Sequence, residues 1–364
     1  MPAVLVTGAA GFLGSHLVDA LLAQGDRVIG VDNFLRGTRA NLAEAFARGG
    51  FELLTADLAD TESCNRVVRN LEAAEVQQVW HLAANSDIPA GVDDLNVDLR
   101  DTFLSTVGSL RIAKQLGIKH FFFTSTSAVY GEREGLLTED SGPMQPISNY
   151  GAMKLASEAA ISAAAEAYLE TARVFRLPNV VGARSTHGLI HDMRGKLAAS
   201  PDRLQVLGDG TQRKQYLHAG ELIEAVLWVA EHASGQYEVY NVGPSNDPGI
   251  TVRRIIEIIL ETSGSSATAV YTGGDRGWVG DVPRFFYSVE KLAASGWRAR
   301  GSSESAIRQA CFELLGGAPD SLLSAVGKPL GAPSPRGKAP TLEVLAAGKS
   351  AADERADEAK AVPL

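Results

Sequence analysis

Short apolar runs and longer amphipathic stretches alternate over the first half of the chain. Residues 3–7 form an apolar run typical of a buried strand, and apolar side chains then recur at helical spacing over residues 12–24. A second strand-type run, residues 27–31, ends at Asp32. The same alternation predicts strands at 51–54, 79–82, 121–125 and 171–177, and helices at 61–71, 98–116 and 150–168. This order predicts an α/β fold with a parallel sheet covered on both faces.

A glycine-rich turn joins the first strand to the first helix. Gly8, Gly11 and Gly14 stand in the sequence GAAGFLG, directly at the start of the helical stretch. A pyrophosphate can lie almost on such a backbone, and the helix that follows offers free N–H groups and its positive dipole end. Asp32 is placed to accept hydrogen bonds from the adenosine ribose and to repel a 2′-phosphate. The arrangement predicts a Rossmann-type doubly wound sheet that binds NAD rather than NADP.

From residue 178 onward the pattern is looser, with frequent proline and glycine and shorter strands. It predicts strands at 204–207 and 238–242, and helices at 221–232, 252–262 and 303–315. We interpret residues 1–177 as an NAD-binding Rossmann domain and residues 178–315 as a smaller α/β lobe for the substrate. Residues 316–364 are rich in Ala, Pro, Gly, Ser and charge without sustained periodicity, which predicts a disordered tail.

Composition narrows the classes of partner. A net charge of -9 and a pI near 5.4 argue against nucleic acid or an anionic membrane surface as the main partner. No run approaches the roughly 20 apolar residues of a membrane span, and the N-terminal stretch lacks the basic region of a signal peptide. Cys64 and Cys311 stand in no metal-binding or redox spacing. We therefore expect a cytoplasmic protein with two reduced thiols.

Tyr150 and Lys154 are four residues apart on a predicted helix, so both side chains point to the same face. A phenol titrates near 10, and a cation close to it favours the phenolate and lowers the pKa. Lowering the phenol pKa from 10 to about 7 requires ~4 kcal/mol of additional stabilisation of the phenolate. We expect Lys154 and a cationic nicotinamide ring to supply this together. Such a pair alone is also a common helix-surface pair. Thr126, at the carboxyl edge of the sheet where ligands bind, favours the catalytic interpretation.

Taken together, these segments resemble the extended short-chain dehydrogenase/reductase family and, within it, the nucleotide-sugar epimerases. The resemblance rests on the glycine turn, on His81-x-Ala83-Ala84, on Thr126 ahead of Gly131 and on Tyr150-x-x-x-Lys154. It extends to the segments RLPNVVGAR at 176–184 and GDGT at 208–211. It covers roughly residues 3–315 of the chain.

The resemblance implies a role for each of these residues. Tyr150 is the implied base, Lys154 its partner and a ligand of the nicotinamide ribose, and Thr126 the hydroxyl that binds the reacting sugar oxygen. The implied NAD contacts are Gly8, Gly11, Phe12, Leu13, Gly14, Asp32, Asn33, Asp57, Leu58, Leu82, Ala83, Ala84, Tyr150 and Lys154. The implied nucleotide-sugar contacts are Thr126, Ser127, Asn179, Arg184, Arg213, Lys214 and Arg276, and either Arg213 or Lys214 meets the diphosphate.

Three activities compete at this point. An epimerase oxidises a sugar hydroxyl with tightly held NAD and takes the hydride back on the other face of the ketone. In the resembled branch, dehydratases carry an Asp-Glu pair after the threonine and decarboxylases a Glu, whereas this chain has Ser127 and Ala128. A non-catalytic dinucleotide sensor would generally lack the Tyr and Lys. We therefore predict an NAD-dependent UDP-sugar 4-epimerase, similar to UDP-glucose and UDP-glucuronate 4-epimerases, with the sugar left open.

Three smaller features complete the predictions. His187 and His191 are four apart with Asp192 adjacent, but no third ligand accompanies them, so no metal site is predicted. His81 is expected to pack beside the cofactor. The alanine-rich helix at 150–168 permits close helix contact. In the resembled family the helices after the fourth and fifth strands often form a dimer interface, which implies a homodimer.

Overall fold

A computed structural model of the chain describes residues 3–72, 74–276, 282 and 286–316. The strands are β1 (Ala3–Thr7), β2 (Arg27–Asp32), β3 (Phe51–Thr55), β4 (Val76–His81), β5 (His120–Thr126), β6 (Leu136–Leu137), β7 (Thr171–Leu177), β8 (Asn179–Val181), β9 (Arg203–Val206), β10 (Arg213–Lys214), β11 (Tyr216–His218), β12 (Tyr237–Asn241), β13 (Ile250–Thr251), β14 (Thr268–Tyr271) and β15 (Phe286–Tyr287). The predicted tail at 316–364 lies outside the described residues except for Gly316.

The helices follow the predicted alternation with the strands. They are α1 (Phe12–Ala23), α2 (Ala43–Arg48), α3 (Thr61–Leu71), α4 (Ile88–Asp93), α5 (Leu95–Asp98), α6 (Ser105–Gln115), α7 (Asn149–Ala167), α8 (Leu189–Ala199), α9 (Ala219–His232), α10 (Val252–Ser263), α11 (Glu290–Ala294) and α12 (Ser303–Leu315). Two 3₁₀ turns lie at Arg39–Leu42 and Ser127–Tyr130. Among the helices of the described ranges, none combines the length and the apolar character that a membrane crossing requires.

Seven parallel strands form the central sheet in the order β12-β7-β5-β4-β1-β2-β3. The chain leaves β1 in one direction along the sheet, toward β3, and then returns to β4 on the other side of β1. The crevice at such a switch point, outside the carboxyl ends of the strands, is where open α/β sheets bind ligands. The predicted Rossmann-type sheet is confirmed. Its last strand, β12, comes from beyond residue 177.

Alternation of side chains along β1 explains why this strand is apolar throughout. Val4 and Val6 join the core formed with α1 and α9, whereas Ala3 and Leu5 join the core formed with α3, α6 and α7. Both faces of the strand are therefore buried, as the uninterrupted apolar run predicts. A third core lies among β9, β14, α8, α10 and α12 and contains Cys311. Cys64 and Cys311 are buried free thiols.

The predicted helix at 98–116 is interrupted in the structure. A π-helical segment, Leu99–Leu104, separates α5 from α6. Hydroxyl groups bind the backbone carbonyls at the junction: Ser105 Oγ donates to Asp101 O at 2.8 Å, and Thr106 Oγ1 donates to Thr102 O at 2.9 Å. Such side-chain bonds compete with the regular helical ladder, and π segments occur frequently at functional sites. This segment faces α7, which carries Tyr150 and Lys154.

Candidate active site

The glycine turn is shaped by close backbone packing. Gly8 has a φ of +69°, and a Cβ atom there would lie 2.7 Å from the amide nitrogen of Ala83. A Cβ on Gly14 would overlap the carbonyl oxygen of Gly8, so the start of α1 can approach the turn only without a side chain. Gly11 is the N-cap of α1, has no side-chain cap among the described residues, and is followed by a first turn without acidic residues. This N-terminus fits an anionic pyrophosphate.

Asp32 lies beside the turn and is fixed by two backbone donors. Its Oδ2 accepts a hydrogen bond from Ala10 N–H at 2.9 Å, and its Oδ1 accepts one from Phe34 N–H at 2.8 Å. Burial raises the pKa of Asp32, while these two hydrogen bonds oppose that rise. Each carboxylate oxygen keeps a second lone pair that can accept a ribose hydroxyl. The residues at this edge therefore fit an adenosine dinucleotide.

The remaining predicted NAD contacts lie at the ends of β2, β3 and β4. Asn33 Oδ1 accepts from Leu35 N–H at 3.0 Å, and Asp57 Oδ1 accepts from Ala59 N–H at 3.0 Å. Asp57 also forms an ion pair with Arg100. Further along, Leu82 N–H donates to Thr7 O at 3.2 Å, so the segment with Ala83 and Ala84 continues directly from β4 beside β1. Phe12 and Leu13 open α1, and Leu58 is buried after β3.

His81 is fully buried at the end of β4. Its Nδ1 lies 2.7 Å from Thr7 Oγ1, and its Nε2 lies 3.0 Å from Thr106 Oγ1. Burial holds the pKa of His81 well below its ordinary value, and the charge of Lys154 adds to this effect. The imidazole is therefore neutral, and the hydrogen bonds at its two ring nitrogens join β1, β4 and α6. This position agrees with the predicted packing role.

Thr126, Tyr150 and Lys154 come together at the carboxyl end of β5. Ser148 caps α7 by accepting a hydrogen bond from Gly151 N–H at 3.1 Å, which starts the helix just before Tyr150. Lys154 Nζ donates to Thr124 O at 2.6 Å and lies 5.9 Å from the centroid of the Tyr150 ring. The hydroxyl of Thr126 lies near the Tyr150 phenol and favours its charged form. The three residues thus occupy one place in the fold.

Burial dominates the electrostatics of Tyr150 and Lys154. Burial raises the pKa of Tyr150 to about 12, the charge of Asp98 adds to the rise, and the Thr126 hydroxyl opposes it. Burial lowers the pKa of Lys154 to about 7, although Glu158 and Asp98 favour its charged form. The predicted lowering of the phenol pKa by Lys154 together with a cationic nicotinamide ring stays a prediction. Within the chain alone, burial and the charge of Asp98 raise the pKa of Tyr150, and Lys154 Nζ donates to the carbonyl of Thr124.

Asp98 is a buried carboxylate that the sequence analysis missed. Its Oδ1 accepts a hydrogen bond from Asn85 Nδ2 at 2.8 Å, and its Oδ2 has no hydrogen-bond partner among the described residues. A Cβ at Gly91 would overlap Oδ2, so the glycine makes room for this carboxylate. Asn149, next to Tyr150, donates to Gly91 O at 2.7 Å. Asp98 was missed because an acidic residue at the start of a predicted helix is expected simply to stabilise the helix N-terminus.

A second missed cluster holds α7 against the sheet. Arg176 of β7 forms a buried ion pair with Glu158 at 2.7 Å, and Ser125 also donates to Glu158. Arg176 Nη1 donates to Tyr130 Oη at 2.9 Å. Breaking a buried pair of this kind leaves an uncompensated charge, which typically costs about 3–5 kcal/mol. The cluster fixes α7 one turn beyond Lys154 and therefore holds Tyr150 and Lys154 in register with β5.

A cavity of about 550 Å³ lies in the second half of the chain. It is lined by Gly210, Thr211, Arg213, Thr251, Arg253 and Phe286. Arg213 Nη1 donates to Gly249 O at 2.9 Å, and the guanidinium of Arg253 lies 4.3 Å from the centroid of the Tyr271 ring. Two cations and an exposed aromatic ring suit a nucleoside diphosphate. Arg253 was not predicted, and the predicted Lys214 is not among the residues that line this cavity.

The other predicted sugar contacts are dispersed. Ser127 is buried directly after Thr126, and Asn179 is exposed at the start of β8. Arg276 forms an ion pair with Glu132 at 2.8 Å, one residue past Gly131. Arg184 instead pairs with Asp19 of α1 at 2.6 Å, and the structure does not bring it to Tyr150.

The two spaced histidines likewise show no metal geometry. His187 lies near Arg36 and Asp87: burial lowers its pKa, Arg36 adds to the fall and Asp87 opposes it. His191 lies 3.8 Å from the carboxylate of Asp192. Over the described ranges, no group of three or more His, Cys, Asp or Glu side chains is arranged to hold a metal ion.

Comparison with known proteins places this site among nucleotide-sugar enzymes. The UDP-glucose 4-epimerase of Mycolicibacterium smegmatis is 30% identical over 246 residues, which cover 66% of this chain and 76% of that protein. A crystal structure of UDP-galactose 4-epimerase superposes with a TM-score of 0.74 at 31% identity, covering 86% of this chain and 98% of that one. The UDP-glucose 4-epimerase of Thermus thermophilus, solved in complex with NAD, has a TM-score of 0.74 at 30% identity over 85% and 98% of the two chains.

These similarities confirm the predicted relation to nucleotide-sugar epimerases and NAD as the cofactor. The family description "NAD dependent epimerase/dehydratase family" matches residues 4–243, which contain the glycine turn, Thr126, Tyr150 and Lys154. The chain belongs to the NAD-dependent epimerase/dehydratase family.

Proposed function

We propose that this protein is an NAD-dependent epimerase that inverts C4 of a UDP-sugar. The observation that carries the proposal is the convergence of Thr126, Tyr150 and Lys154 at the switch-point crevice, beside the glycine turn and Asp32. The relatives named above act on UDP-glucose or UDP-galactose and support the choice of carbon.

The chain's own residues hold and move the proton. Thr126 holds the reacting sugar oxygen, and Tyr150 exchanges a proton with it in both half-reactions. Lys154 is anchored on Thr124 O, next to the phenol, and binds the nicotinamide ribose. When bound, NAD supplies a reversible hydride acceptor and a positive charge beside the phenol. Because Tyr150 has a pKa of about 12 without that charge, its ability to act as a base depends on the loaded cleft.

The residues after Thr126 favour epimerisation over elimination. Ser127 and Ala128 open a short 3₁₀ turn, so carboxylates do not follow Thr126 in the chain. A dehydratase needs acid and base groups there to remove water from the 4-ketone. With a serine and an alanine at these positions, the ketone is consumed by reduction: hydride return to the original face regenerates the substrate, and return to the other face gives the 4-epimer.

The cavity with Arg213 and Arg253 is the proposed site of the diphosphate and the base. An anchor on the nucleotide leaves the hexose attached through the bonds to the phosphate. Rotation about those bonds exchanges the two faces of a 4-ketone while its oxygen stays within reach of Thr126 and Tyr150. Arg276 and Asn179 are proposed to border the sugar, and Arg184 is assigned to the α1 surface instead.

The proposal extends to the organisation of the chain. We assign residues 1–177 to the NAD lobe and residues 178–315 to the substrate lobe, with β12 contributed across that boundary. Residues 317–364 are left outside the assignment. The two free buried thiols support a cytoplasmic location.

A homodimer is proposed through the helices that follow β4 and precede β7. Leu95, Leu99 and Leu104 are exposed on the first of these, and Ala159 and Ala163 are exposed on α7. Light scattering on the full chain tests this: a dimer is expected, and Leu99→Glu should yield monomers. A monomeric parent protein contradicts the assignment.

A panel of UDP-sugars tests the activity. Purified protein is incubated with UDP-glucose, UDP-N-acetylglucosamine and UDP-glucuronate, and the products are read by NMR. We expect one of them to reach equilibrium with its 4-epimer. A 4-keto-6-deoxy sugar, a pentose product or no reaction with any of them would overturn the assignment.

A further inference from the structure

Two loops lie against opposite sides of the glycine turn. The loop after β2 contacts Ala10: Thr38 N–H and Asn41 Nδ2 donate to Ala10 O at 3.0 and 2.9 Å. The segment after β4 contacts Gly8, where a Cβ would lie 2.7 Å from Ala83 N. Since β1 lies between β2 and β4 in the sheet, the turn at its carboxyl end separates the two loops.

An ion pair joins these loops. Arg36, in the loop after β2, binds Asp87, in the loop after β4. Any link between them must cross the carboxyl end of β1, which is the place of the glycine turn. The pair is about one-third exposed on each side chain, at 39% and 33%, so it can open without disrupting a core.

Asp87 is held rigidly for this contact. Its Oδ1 accepts from Ala90 N–H at 3.1 Å and caps α4, which leaves Oδ2 for Arg36. Its N–H donates to Asn85 Oδ1 at 2.9 Å, and Asn85 in turn binds the buried Asp98. The acid side of the pair is therefore tied to the same buried cluster that borders Tyr150.

We propose that the Arg36–Asp87 ion pair is a strap across the dinucleotide cleft that slows the release of NAD. The inference rests on the proposed function, because an epimerase returns the hydride to the same sugar and benefits from retaining its cofactor between turnovers. A lone carboxylate near two phosphates would repel them. Because Arg36 neutralises the charge of Asp87, the pair can stand at this end of β1 without repelling a pyrophosphate.

The strap differs from a simple phosphate ligand in one measurable way. If Arg36 acted alone on the phosphates, removal of the charge on Asp87 would free the guanidinium and tighten binding. If the pair is a strap, removal of either partner opens it and accelerates release. Asp87→Asn separates these cases because asparagine keeps the acceptor that caps α4.

The experiment measures release of NAD from the full-length loaded protein in the absence of sugar. Protein loaded with radiolabelled NAD is diluted into excess unlabelled NAD, and the bound label is followed by rapid desalting. We expect Asp87→Asn and Arg36→Gln each to release NAD about two- to fivefold faster, the range expected for an exposed ion pair. Arg36→Lys, which keeps the charge, should lie between them and the parent.

Arg27→Gln is the matched control. Arg27 is exposed to nearly the same extent as Arg36 and pairs with Glu52 at 2.7 Å, but at the opposite end of β2 and β3. The Arg27→Gln variant should release NAD at the same rate as the parent protein. Slower or unchanged release in Asp87→Asn overturns the strap, as does equal acceleration by Arg27→Gln. Because no sugar is present, a negative result in the UDP-sugar panel leaves this measurement intact, and the reverse also holds.

Discussion

At the scale of single residues, the site depends on two groups whose protonation is shifted by burial. Lys154 is 2% exposed, with a pKa lowered to about 7, and Tyr150 has a pKa raised to about 12. The sequence predicted which residues meet, because helical spacing and strand ends determine that. It could not predict the rise of the phenol pKa within the chain alone, since that rise depends on how deeply the phenol is buried and on the charge of Asp98.

Tyr150→Phe should reduce kcat by about 10²–10⁴-fold, the usual loss for a missing general base, while NAD stays bound. The measurement is the rate of UDP-sugar epimerisation together with the bound NAD content. Tyr168→Phe is the control, because Tyr168 donates to Leu110 O at 3.0 Å at the far end of α7. Near-normal turnover by the Tyr150 variant would contradict the assigned base.

Lys154→Met should stabilise the protein at low pH, and the gain should shrink as pH rises. The folded pKa of Lys154 is about 7 against 10.5 in the unfolded chain, so the unfolded state binds the extra proton between these values. The buried charge of Lys154 lowers the free energy of unfolding by its full amount, on the order of a few kcal/mol, below pH 7. This cost disappears as the pH approaches 10.5. Urea unfolding of both proteins between pH 6 and 10 measures the difference. A difference that is constant with pH contradicts the shifted lysine.

At the scale of elements, apolar periodicity located most helices and all seven strands of the central sheet. The π interruption was missed because it depends on hydroxyls of Ser105 and Thr106 binding nearby carbonyls, which leaves the apolar pattern unchanged. The short α4 was missed because it spans only six residues, contains Pro89 and Gly91, and is set by the cap from Asp87. These two elements lie beside α7, where local structure serves the candidate site as well as the core.

The junction between the glycine turn and α1 gives a prediction at this scale. Gly14→Ala should destabilise the protein by about 1–3 kcal/mol, because the new Cβ overlaps the backbone of Gly8. Gly195→Ala, also within a helix but with open space around it, should stabilise by about 0.5–1 kcal/mol. Urea unfolding compares the two variants. Equal effects would show that helix propensity, rather than the close approach at the turn, governs position 14.

At the scale of the whole molecule, chemistry from distant parts of the chain meets at one edge of the sheet. The cofactor turn, the proton-transfer pair and the buried acid come from β1, α7 and α5. The sequence resemblance implied this convergence and named Arg184 as a nucleotide-sugar contact; in the fold, that arginine pairs with Asp19 on α1. It also missed Arg253, which reaches the cavity from the start of α10, directly after β13, the strand that pairs with β10. Such contacts depend on tertiary packing in the looser second half.

The central claim is that hydride leaves C4 of the sugar and returns to C4 of the same sugar. Turnover of the preferred UDP-sugar in D₂O, followed by NMR of the product, tests it most directly. The account predicts the 4-epimer without solvent deuterium at C4 or at the neighbouring carbons, and no accumulation of NADH. Deuterium in the product, a net yield of NADH or loss of water from the sugar would contradict it.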